Sequence, residues 1–419
     1  MDRRGFLVRT GLTFAAGALA SLPAARAAPA RQIEDWDAVR GLFSLNPDYL
    51  HFGGLYLASH PAPVQQAIET HRRGLDDNPV DYLHQQQGPL EAAVLRAAAA
   101  YLRADPTDIA LTDSTTMGLS LLYTGLLLRS DQELLTTQHD FYSTHESLRL
   151  AAQRTGAGMR RIALYQRPET ASADDIVQAV ANGISDRTRV LAVTWVHSST
   201  GVKLPIQRIA EVISSVNAGR DEAQRVLLCV DGVHGFGVED VAVADLGCDF
   251  FVSGGHKWLF GPRGTGLVWG RGARTWSSVH ETIPTFGDGR TEGSLHTPGG
   301  FHSFEHRWAL REAFDLHLQI GRDRVAGRIH SLNTRLKQGL AAVPGVRIYT
   351  PMSEELSAGL VCFDVGNLRP QTVVDRLHER KIIATVTPYA TSYVRLAAGL
   401  LTNEDQVDRV VEEIKLLSS

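Results

Sequence analysis

Cysteine is scarce in this sequence of 419 residues, and neither sign of charge predominates. There are three cysteines, Cys229, Cys248 and Cys362. This number is small and odd, so no disulfide framework is implied. Lysine and arginine number 42 against 46 aspartates and glutamates, which gives a formal net charge of −4. The basic residues are scattered along the chain. We therefore do not expect a nucleic-acid-binding surface.

The sequence also lacks an apolar run long enough for a comfortable membrane span, which takes about 20 residues. The candidate run, residues 12–22, follows Arg3-Arg4 and precedes Ala25-Arg26-Ala27, which offers the small residues that a signal peptidase reads. Paired arginines in this position resemble a Tat signal. We expect residues 1–27 to be a signal peptide, the Tat translocase to be a partner during export, and the protein to be periplasmic.

What the chain does contain is an ordinary globular composition, 43% hydrophobic and 21% charged, with strands and helices that alternate. Strand-like runs at 109–112, 134–137, 159–164 and 190–196 are separated by helical segments. This alternation predicts right-handed βαβ crossovers and a mostly parallel sheet with helices on both faces. We predict an N-terminal segment at 28–90, a large α/β domain at 91–300, and an interface helix with a small α+β domain at 301–419.

The most informative stretch is residues 226–270. One apolar strand ends at Asp231, and a second ends in Ser253-Gly254-Gly255-His256-Lys257. A lysine at a glycine-rich turn can be desolvated, which lowers its pKa and frees a nucleophilic amine. An acid at the carboxyl end of a parallel strand faces the crevice where open α/β sheets bind ligands. An amine for a Schiff base and an acid for a pyridinium nitrogen are what pyridoxal phosphate (PLP) requires.

The joint pattern D-x-x-H, S-G-x-H-K and G-P-x-G-x-G resembles the class V aminotransferase family of fold-type I PLP enzymes, from about Asp48 to the C-terminus. That family includes cysteine desulfurases, kynureninases and isopenicillin N epimerases. The resemblance implies a homodimer that binds PLP through a Schiff base at Lys257. It also implies that Asp231 stabilises the protonated ring nitrogen and that Lys257, once displaced, becomes the general base. No metal site is expected.

Small hydroxyl residues follow the strand at 109–112 and open a predicted helix. Free backbone N–H groups at a helix start, together with the helix dipole, bind anions. Serine and threonine there are also ordinary N-caps, so the pattern alone leaves both interpretations open. In the PLP context we assign Ser114, Thr115 and Thr116 to the cofactor phosphate.

The family resemblance implies further roles for single residues. Ser253 and His256 are expected to bind the phosphate, and Ser303 to contribute to the phosphate site of the neighbouring subunit. His234 and Ser198 are expected near the phenolic oxygen of the cofactor.

Two more roles come from the same resemblance. The ring that stacks on the cofactor is expected between His139 and Tyr142, with Tyr142 preferred and Phe141 as the alternative. Arg395 lies where the family binds the substrate α-carboxylate, which a guanidinium can grip with two hydrogen bonds.

The reaction itself stays open among transamination, epimerisation and β-elimination. Desulfurase activity is disfavoured, because Cys362 lies in the apolar run 359–365 and residues 385–392 contain no cysteine. The stretches HSSTG, DGVHGFG and SGGHKW, with the signal, are similar to Tat-exported members that tailor the glutamate of the siderophore pyoverdine. We therefore expect a glutamate-like residue of a secreted peptide siderophore as substrate. The alternatives are a free amino acid as substrate, or an exported binding protein without catalysis.

Overall fold

The computed structural model of the protein describes residues 33–286 and 291–418. The predicted signal peptide and its cleavage point lie outside the described residues. Within them, no helix combines the length and the apolar character needed to cross a bilayer.

Short strands alternate with helices along the described chain. The strands are β1 (Leu50–His51), β2 (Ile109–Thr112), β3 (Glu133–Thr137), β4 (Gly158–Ile162), β5 (Thr188–Thr194), β6 (Leu227–Asp231), β7 (Phe250–Gly254), β8 (Gly266–Gly270), β9 (Val346–Ile348), β10 (Val361–Val365), β11 (Ile382–Ile383), β12 (Thr385–Val386) and β13 (Val394–Leu396).

The α-helices fill the intervals between the strands and surround them. They are α1 (Trp36–Gly41), α2 (Ala62–Asp77), α3 (Pro79–Leu102), α4 (Thr115–Gly125), α5 (Tyr142–Thr155), α6 (Ala173–Gly183), α7 (Ile206–Asn217), α8 (Gly272–Trp276), α9 (Glu292–Leu295), α10 (Phe304–Ile320), α11 (Arg322–Ala341), α12 (Pro370–Glu379) and α13 (Glu404–Ser418).

A seven-stranded sheet in the order β2-β8-β7-β6-β5-β3-β4 forms the centre of the fold. Strands β4, β3, β5, β6 and β7 are parallel, and β8 pairs antiparallel with both β7 and β2. Every residue of β5, β6 and β7 is buried, as expected for parallel strands covered on both faces. The predicted α/β fold with a mostly parallel sheet is confirmed.

A smaller antiparallel sheet, in the order β12-β13-β10-β9, lies in the C-terminal part. Helices α11, α12 and α13 cover it around an apolar core that includes Leu336, Phe363, Val373 and Val410. Strand β1 pairs in parallel with β11, so the N-terminal segment is tied to the C-terminal one. The predicted boundaries after residues 90 and 300 stay a prediction.

Two helices differ from the sequence-based expectation. The sequence predicts a helix over 89–101, but that helix begins at Pro79, in a first turn that suits proline, and it continues through Pro89. The long helical region expected after Ser303 is broken at Gly321, whose φ of +96° ends α10 and starts α11. Glycine adopts such a backbone conformation without steric cost.

Candidate active site

The carboxyl ends of β5, β6 and β7 and the start of α4 open on one cavity of about 380 Å³. This is the crevice that open α/β sheets use for ligands. The structure brings ten of the residues singled out from the sequence into its wall: Ser114, Thr115, Thr116, Phe141, Ser198, Asp231, His234, His256, Lys257 and Arg395.

Lys257 and Asp231 lie in the buried part of this cavity. Lys257 follows β7, and burial lowers the pKa of its amine, although the carboxylate of Asp231 opposes that effect. Asp231 ends β6 and accepts a hydrogen bond of 3.1 Å from the backbone N–H of Val233. Burial raises the pKa of Asp231, and the nearby amine of Lys257 opposes the rise. The pair therefore supplies a nucleophilic amine and a buried carboxyl at one site.

His234 bridges the lysine to the residue that follows it. Its Nδ1 accepts a hydrogen bond of 3.3 Å from the indole N–H of Trp258, and its Nε2 lies 3.4 Å from Lys257 Nζ. Burial holds the pKa of His234 well below its usual range, so the ring is neutral. Because Nδ1 is the acceptor, the ring hydrogen lies on Nε2, facing the amine.

The start of α4 provides an anion site at one end of the cavity. Ser114 caps the helix, since its Oγ accepts a hydrogen bond of 3.1 Å from the backbone N–H of Met117. Thr116 Oγ1 lies 3.0 Å from Ser143 Oγ. The hydroxyl of Thr115 is buried and has no hydrogen-bond partner among the described residues. Ser114 therefore caps the helix, and the hydroxyl of Thr115 is available to bind a ligand.

Gly254 gives this anion site its space. A Cβ built on Gly254 would lie 3.1 Å from both Thr115 Oγ1 and the ring of His256. Burial lowers the pKa of His256 to about 4, so this ring is also neutral and can offer one N–H. An orphaned hydroxyl, a helix start and a neutral imidazole around a glycine fit a phosphate group.

Arg395 enters the cavity from β13. Its Nε donates to Thr385 Oγ1 at 3.1 Å, and its Nη1 donates to the carbonyl oxygen of Ser198 at 3.1 Å. Ser198 is presented by a tight turn that closes where the Gly201 N–H donates to the carbonyl of His197 at 2.7 Å. The side chain of Arg395 is buried, and within the described chain no carboxylate lies within ion-pair distance of it. A buried guanidinium without a carboxylate partner favours the binding of an anionic ligand.

The structure corrects the expected stacking ring. Tyr142 is 68% exposed and lies outside the cavity wall, whereas Phe141 is part of the wall. The two side chains diverge because Phe141 has an extended backbone (φ −72°, ψ 154°) and Tyr142 is the first helical residue of α5. Of the two rings, Phe141, the alternative from the sequence analysis, is the one that lines the cavity, and its stacking on the cofactor stays a prediction.

The structure also places two expected phosphate ligands away from this cavity. Ser253 is buried inside β7, its hydroxyl donates to the carbonyl of Gly254 at 3.2 Å, and it does not line the cavity. Successive residues of a strand face opposite sides, so it is Gly254 that faces the phosphate end. Ser303 is exposed at the start of α10. Its role in the site of a neighbouring subunit stays a prediction.

Several wall residues had no assigned role in the sequence analysis. Thr194 ends β5, and its hydroxyl is buried without a hydrogen-bond partner among the described residues. Its position at the carboxyl end of a parallel strand is a signal that would have found it. Leu55, Tyr56 and Leu57 come from the glycine-rich stretch after β1, and Pro388 comes from the loop between β12 and β13.

The family profile described as aminotransferase class-V matches residues 59–409, so the chain belongs to the class V aminotransferase family. The chain is similar to isopenicillin N epimerase of Streptomyces clavuligerus, at 24% identity over 92% of this chain and 99% of that protein.

Two solved structures share the fold. One is a lysine-to-alanine mutant of C-DES with glycine covalently linked to the PLP cofactor (TM-score 0.81, 22% identity, 90% of this chain and 98% of that one). The other is the apo cysteine desulfurase of Thermococcus onnurineus NA1 (TM-score 0.77, 19% identity, 91% and 98%).

Family and site together define the class of protein. It is a PLP-dependent enzyme, and its cofactor is pyridoxal phosphate. The residues present fit that cofactor at three points: an amine at Lys257, a buried carboxyl at Asp231, and the anion site at the start of α4.

Proposed function

We propose that the enzyme acts on the α-amino group of an amino-acid unit whose α-carboxylate is bound by Arg395. The observation that carries the proposal is the buried guanidinium of Arg395, which has no carboxylate partner among the described residues and shares a cavity with Lys257. A planar guanidinium fork matches a carboxylate with two parallel hydrogen bonds. An α-amino acid carries its amine one carbon away from that carboxylate.

The residues of the chain divide the work as follows. PLP, when bound, supplies the electron sink for the breaking of a bond at the substrate α-carbon. Asp231 would hold its ring nitrogen, and Thr115 and His256 its phosphate. Lys257 acts as the general base that takes the proton from the α-carbon, and burial lowers the pKa of its amine toward the range that suits this task. His234, neutral and 3.4 Å away, positions that amine.

We further propose that the substrate is a glutamate-like residue within a secreted peptide siderophore of the pyoverdine type. Among the described residues, Arg395 is the only arginine in the cavity wall. The second carboxylate of free glutamate would find no second arginine in the described wall, and its loss of water would be costly where the wall is buried and apolar, as at Leu55. A glutamate whose distal carboxyl is an amide avoids that cost. Tyr56 and Leu57 are 66% and 48% exposed, so the wall continues to the surface, where the rest of a peptide can lie.

Incubation with a siderophore precursor, followed by its mass, tests this substrate directly. A matched pair of small substrates isolates the charge argument: free glutamate and its γ-amide. We expect a mass change in the precursor and a higher kcat/KM for the γ-amide than for glutamate. An unchanged precursor mass, with no deuterium taken up by the precursor in D₂O and ready turnover of free alanine, would overturn the peptide substrate and leave the α-amino acid proposal standing.

Export by the Tat route to the periplasm belongs to the same proposal, and it is supported by Arg3-Arg4 before the apolar run. The Tat route carries folded proteins, so the cofactor can be bound before export. We expect the double variant Arg3→Lys, Arg4→Lys to remain in the cytoplasm with its cofactor. Cell fractionation measures this, and normal periplasmic delivery of the variant would point to another signal.

A homodimer with composite active sites is proposed as the functional unit. Large apolar side chains are exposed on both sides of residues 287–290: Phe286 at 70% and Phe301 at 87%. A two-fold contact between copies would bury them, and two-fold dimers are the commonest closed assembly. Analytical ultracentrifugation tests this. A fully active monomer with complete cofactor occupancy would contradict it.

Epimerisation is a candidate reaction beside transamination and β-elimination, and the similarity to isopenicillin N epimerase along 92% of this chain favours it. Turnover in D₂O separates the candidates, because epimerisation places deuterium on the α-carbon of both enantiomers and leaves the mass otherwise unchanged. Desulfuration is disfavoured, since all three cysteines are buried and burial raises the pKa of the Cys362 thiol to about 12. A buried thiol of this kind is not a ready sulfur acceptor.

A further inference from the structure

In the loop of the hairpin formed by β12 and β13, Tyr389 reaches over to the HSSTG turn at residues 197–201. Tyr389 Oη lies 2.6 Å from Ser198 Oγ. The hairpin that presents this phenol is braced by its own hydrogen bonds. The backbone N–H of Thr387 donates to the carbonyl of Tyr393 at 2.9 Å, and the N–H of Tyr393 donates to Thr387 Oγ1 at 2.9 Å. Tyr389 is therefore held in place by the loop that carries it.

Tyr389 contacts two residues of the cavity wall that come from distant parts of the chain. Besides Ser198, its ring meets that of Phe141 edge-on, with centroids 6.2 Å apart and planes at 73°. Ser198 is held on its other side as well, because its carbonyl oxygen accepts a hydrogen bond from Arg395 Nη1. The phenol of Tyr389 thus supports both Ser198 and the ring of Phe141 in the cavity wall.

The chemistry of the two hydroxyl groups decides which one donates. Burial raises the pKa of Tyr389, so the phenol stays protonated. A phenol is a stronger acid than an aliphatic alcohol and is the better hydrogen-bond donor. With Tyr389 donating, the hydrogen of Ser198 is directed away from Tyr389. Ser198 lines the cavity, so that hydrogen is available to an acceptor there.

We infer that Tyr389 is a positioning residue, which fixes the Ser198 hydroxyl as a hydrogen-bond donor toward the cofactor cavity and supports Phe141 beside it. The inference rests on the cofactor site, because the acceptor it serves is an oxygen of the bound cofactor. A chain of two hydrogen bonds also polarises the outer donor and makes it stronger.

Tyr389→Phe tests the inference, since it removes only the phenol oxygen and keeps the ring against Phe141. The readout is the pH midpoint of the absorbance change of the bound cofactor. A weaker donor stabilises the negative charge on the acceptor oxygen less, so the chromophore keeps its proton to higher pH. We expect Tyr389→Phe to raise the midpoint by about half a pH unit or more, the scale of one hydrogen bond.

A double-mutant cycle shows whether Tyr389 acts through Ser198. Ser198→Ala should raise the midpoint as well, and adding Tyr389→Phe to it should change nothing further. Tyr393→Phe, in the same hairpin with its ring 4.0 Å from that of Tyr349, is the matched control and should titrate like the wild type. An unchanged midpoint in Tyr389→Phe, or additive shifts in the double variant, would overturn the inference. A wild-type protein without the cofactor absorbance would instead refute the cofactor assignment.

Discussion

At the scale of single residues, two largely desolvated lysines show that a lowered pKa alone does not make a reactive amine. Burial lowers the pKa of both Lys257 and Lys337, the latter to about 8. Lys337 Nζ donates to the carbonyls of Pro351 and Met352 and to Ser357 Oγ, so its three hydrogens are used. Lys257 faces the cavity, with His234 as its neighbour. The amine of Lys257 is the one that a carbonyl compound can reach.

Borohydride reduction of the holoenzyme followed by peptide mapping should therefore label Lys257. Lys257→Ala should lose the covalent link and its absorbance, because no second amine lines the cavity among the described residues. Lys337→Met is the control and should keep both. A label on Lys337, or on any lysine other than Lys257, would contradict this account of the site.

Arg395 is expected to carry most of the binding of the substrate carboxylate. Arg395→Ala should lower kcat/KM by roughly 30- to 1,000-fold, which corresponds to the 2–4 kcal/mol typical for losing one partner of a buried charge pair. Arg395→Lys should recover only part of this, since a lysine lacks the planar fork. Steady-state kinetics with the γ-amide of glutamate provide the measurement.

Arg311→Ala is the matched control, because Arg311 lies on the exposed face of α10 and pairs with Asp315. We expect kinetics close to wild type for it. A loss confined to kcat, with KM unchanged in Arg395→Ala, would mean that Arg395 serves the reaction and not the recognition of the carboxylate.

The residue scale also shows where sequence reasoning stops. Lys257 and Asp231 could be identified because they follow apolar strands, at a glycine-rich turn and at a strand end, whereas His234 and Arg395 were assigned through the family resemblance. Tyr142 and Phe141 could not be told apart, since which of two adjacent rings enters a cavity depends on where the helix starts. Tyr389 had no signal at all, because its contact with Ser198 joins residues 191 positions apart.

At the scale of elements, α4 combines a capped start with one unused hydroxyl, and this predicts how Thr115 contributes. Thr115→Val removes the hydroxyl while keeping the shape of the side chain. We expect the affinity of the apoenzyme for PLP to fall roughly tenfold, the scale of one hydrogen bond to a charged group. Thr124→Val, nine residues along the same helix, is the control and should bind PLP normally. Equal affinities for wild type and Thr115→Val would remove Thr115 from the phosphate site.

The elements themselves were predictable to different degrees. Strands β2, β6 and β7 could be located within a residue or two, because buried parallel strands are continuous apolar runs bounded by turn residues. Strand β13 was missed, since three residues give too little periodicity. The sequence of residues 382–386 predicts one strand. It forms two, β11 and β12, which pair with different partners, and such pairing depends on tertiary contacts.

At the scale of the whole molecule, buried neutral histidines link stability to pH. Burial lowers the pKa of His317 to about 4 and that of His139 and His197 to about 3. In each case the folded-state pKa lies below that of the unfolded chain, which is near 6.5. Between these two pKa values the unfolded chain binds a proton and the folded protein does not. The contribution of these neutral rings to the free energy of unfolding is complete above about pH 6.5. It is lost as the pH falls toward 4.

We therefore expect the free energy of unfolding to fall steeply between pH 6.5 and 4.5, with about 2 kcal/mol lost by pH 5 through His317 alone. Chemical denaturation of the holoenzyme across this range measures the slope. His317→Leu replaces the ring inside an apolar and aromatic environment beside Tyr101 and Phe260, so it should flatten the slope even if it lowers stability at pH 7.5. His84→Asn, on the exposed side of α3, should leave the slope unchanged. A slope in His317→Leu as steep as that of the wild type would show that proton uptake at His317 is not part of the acid response.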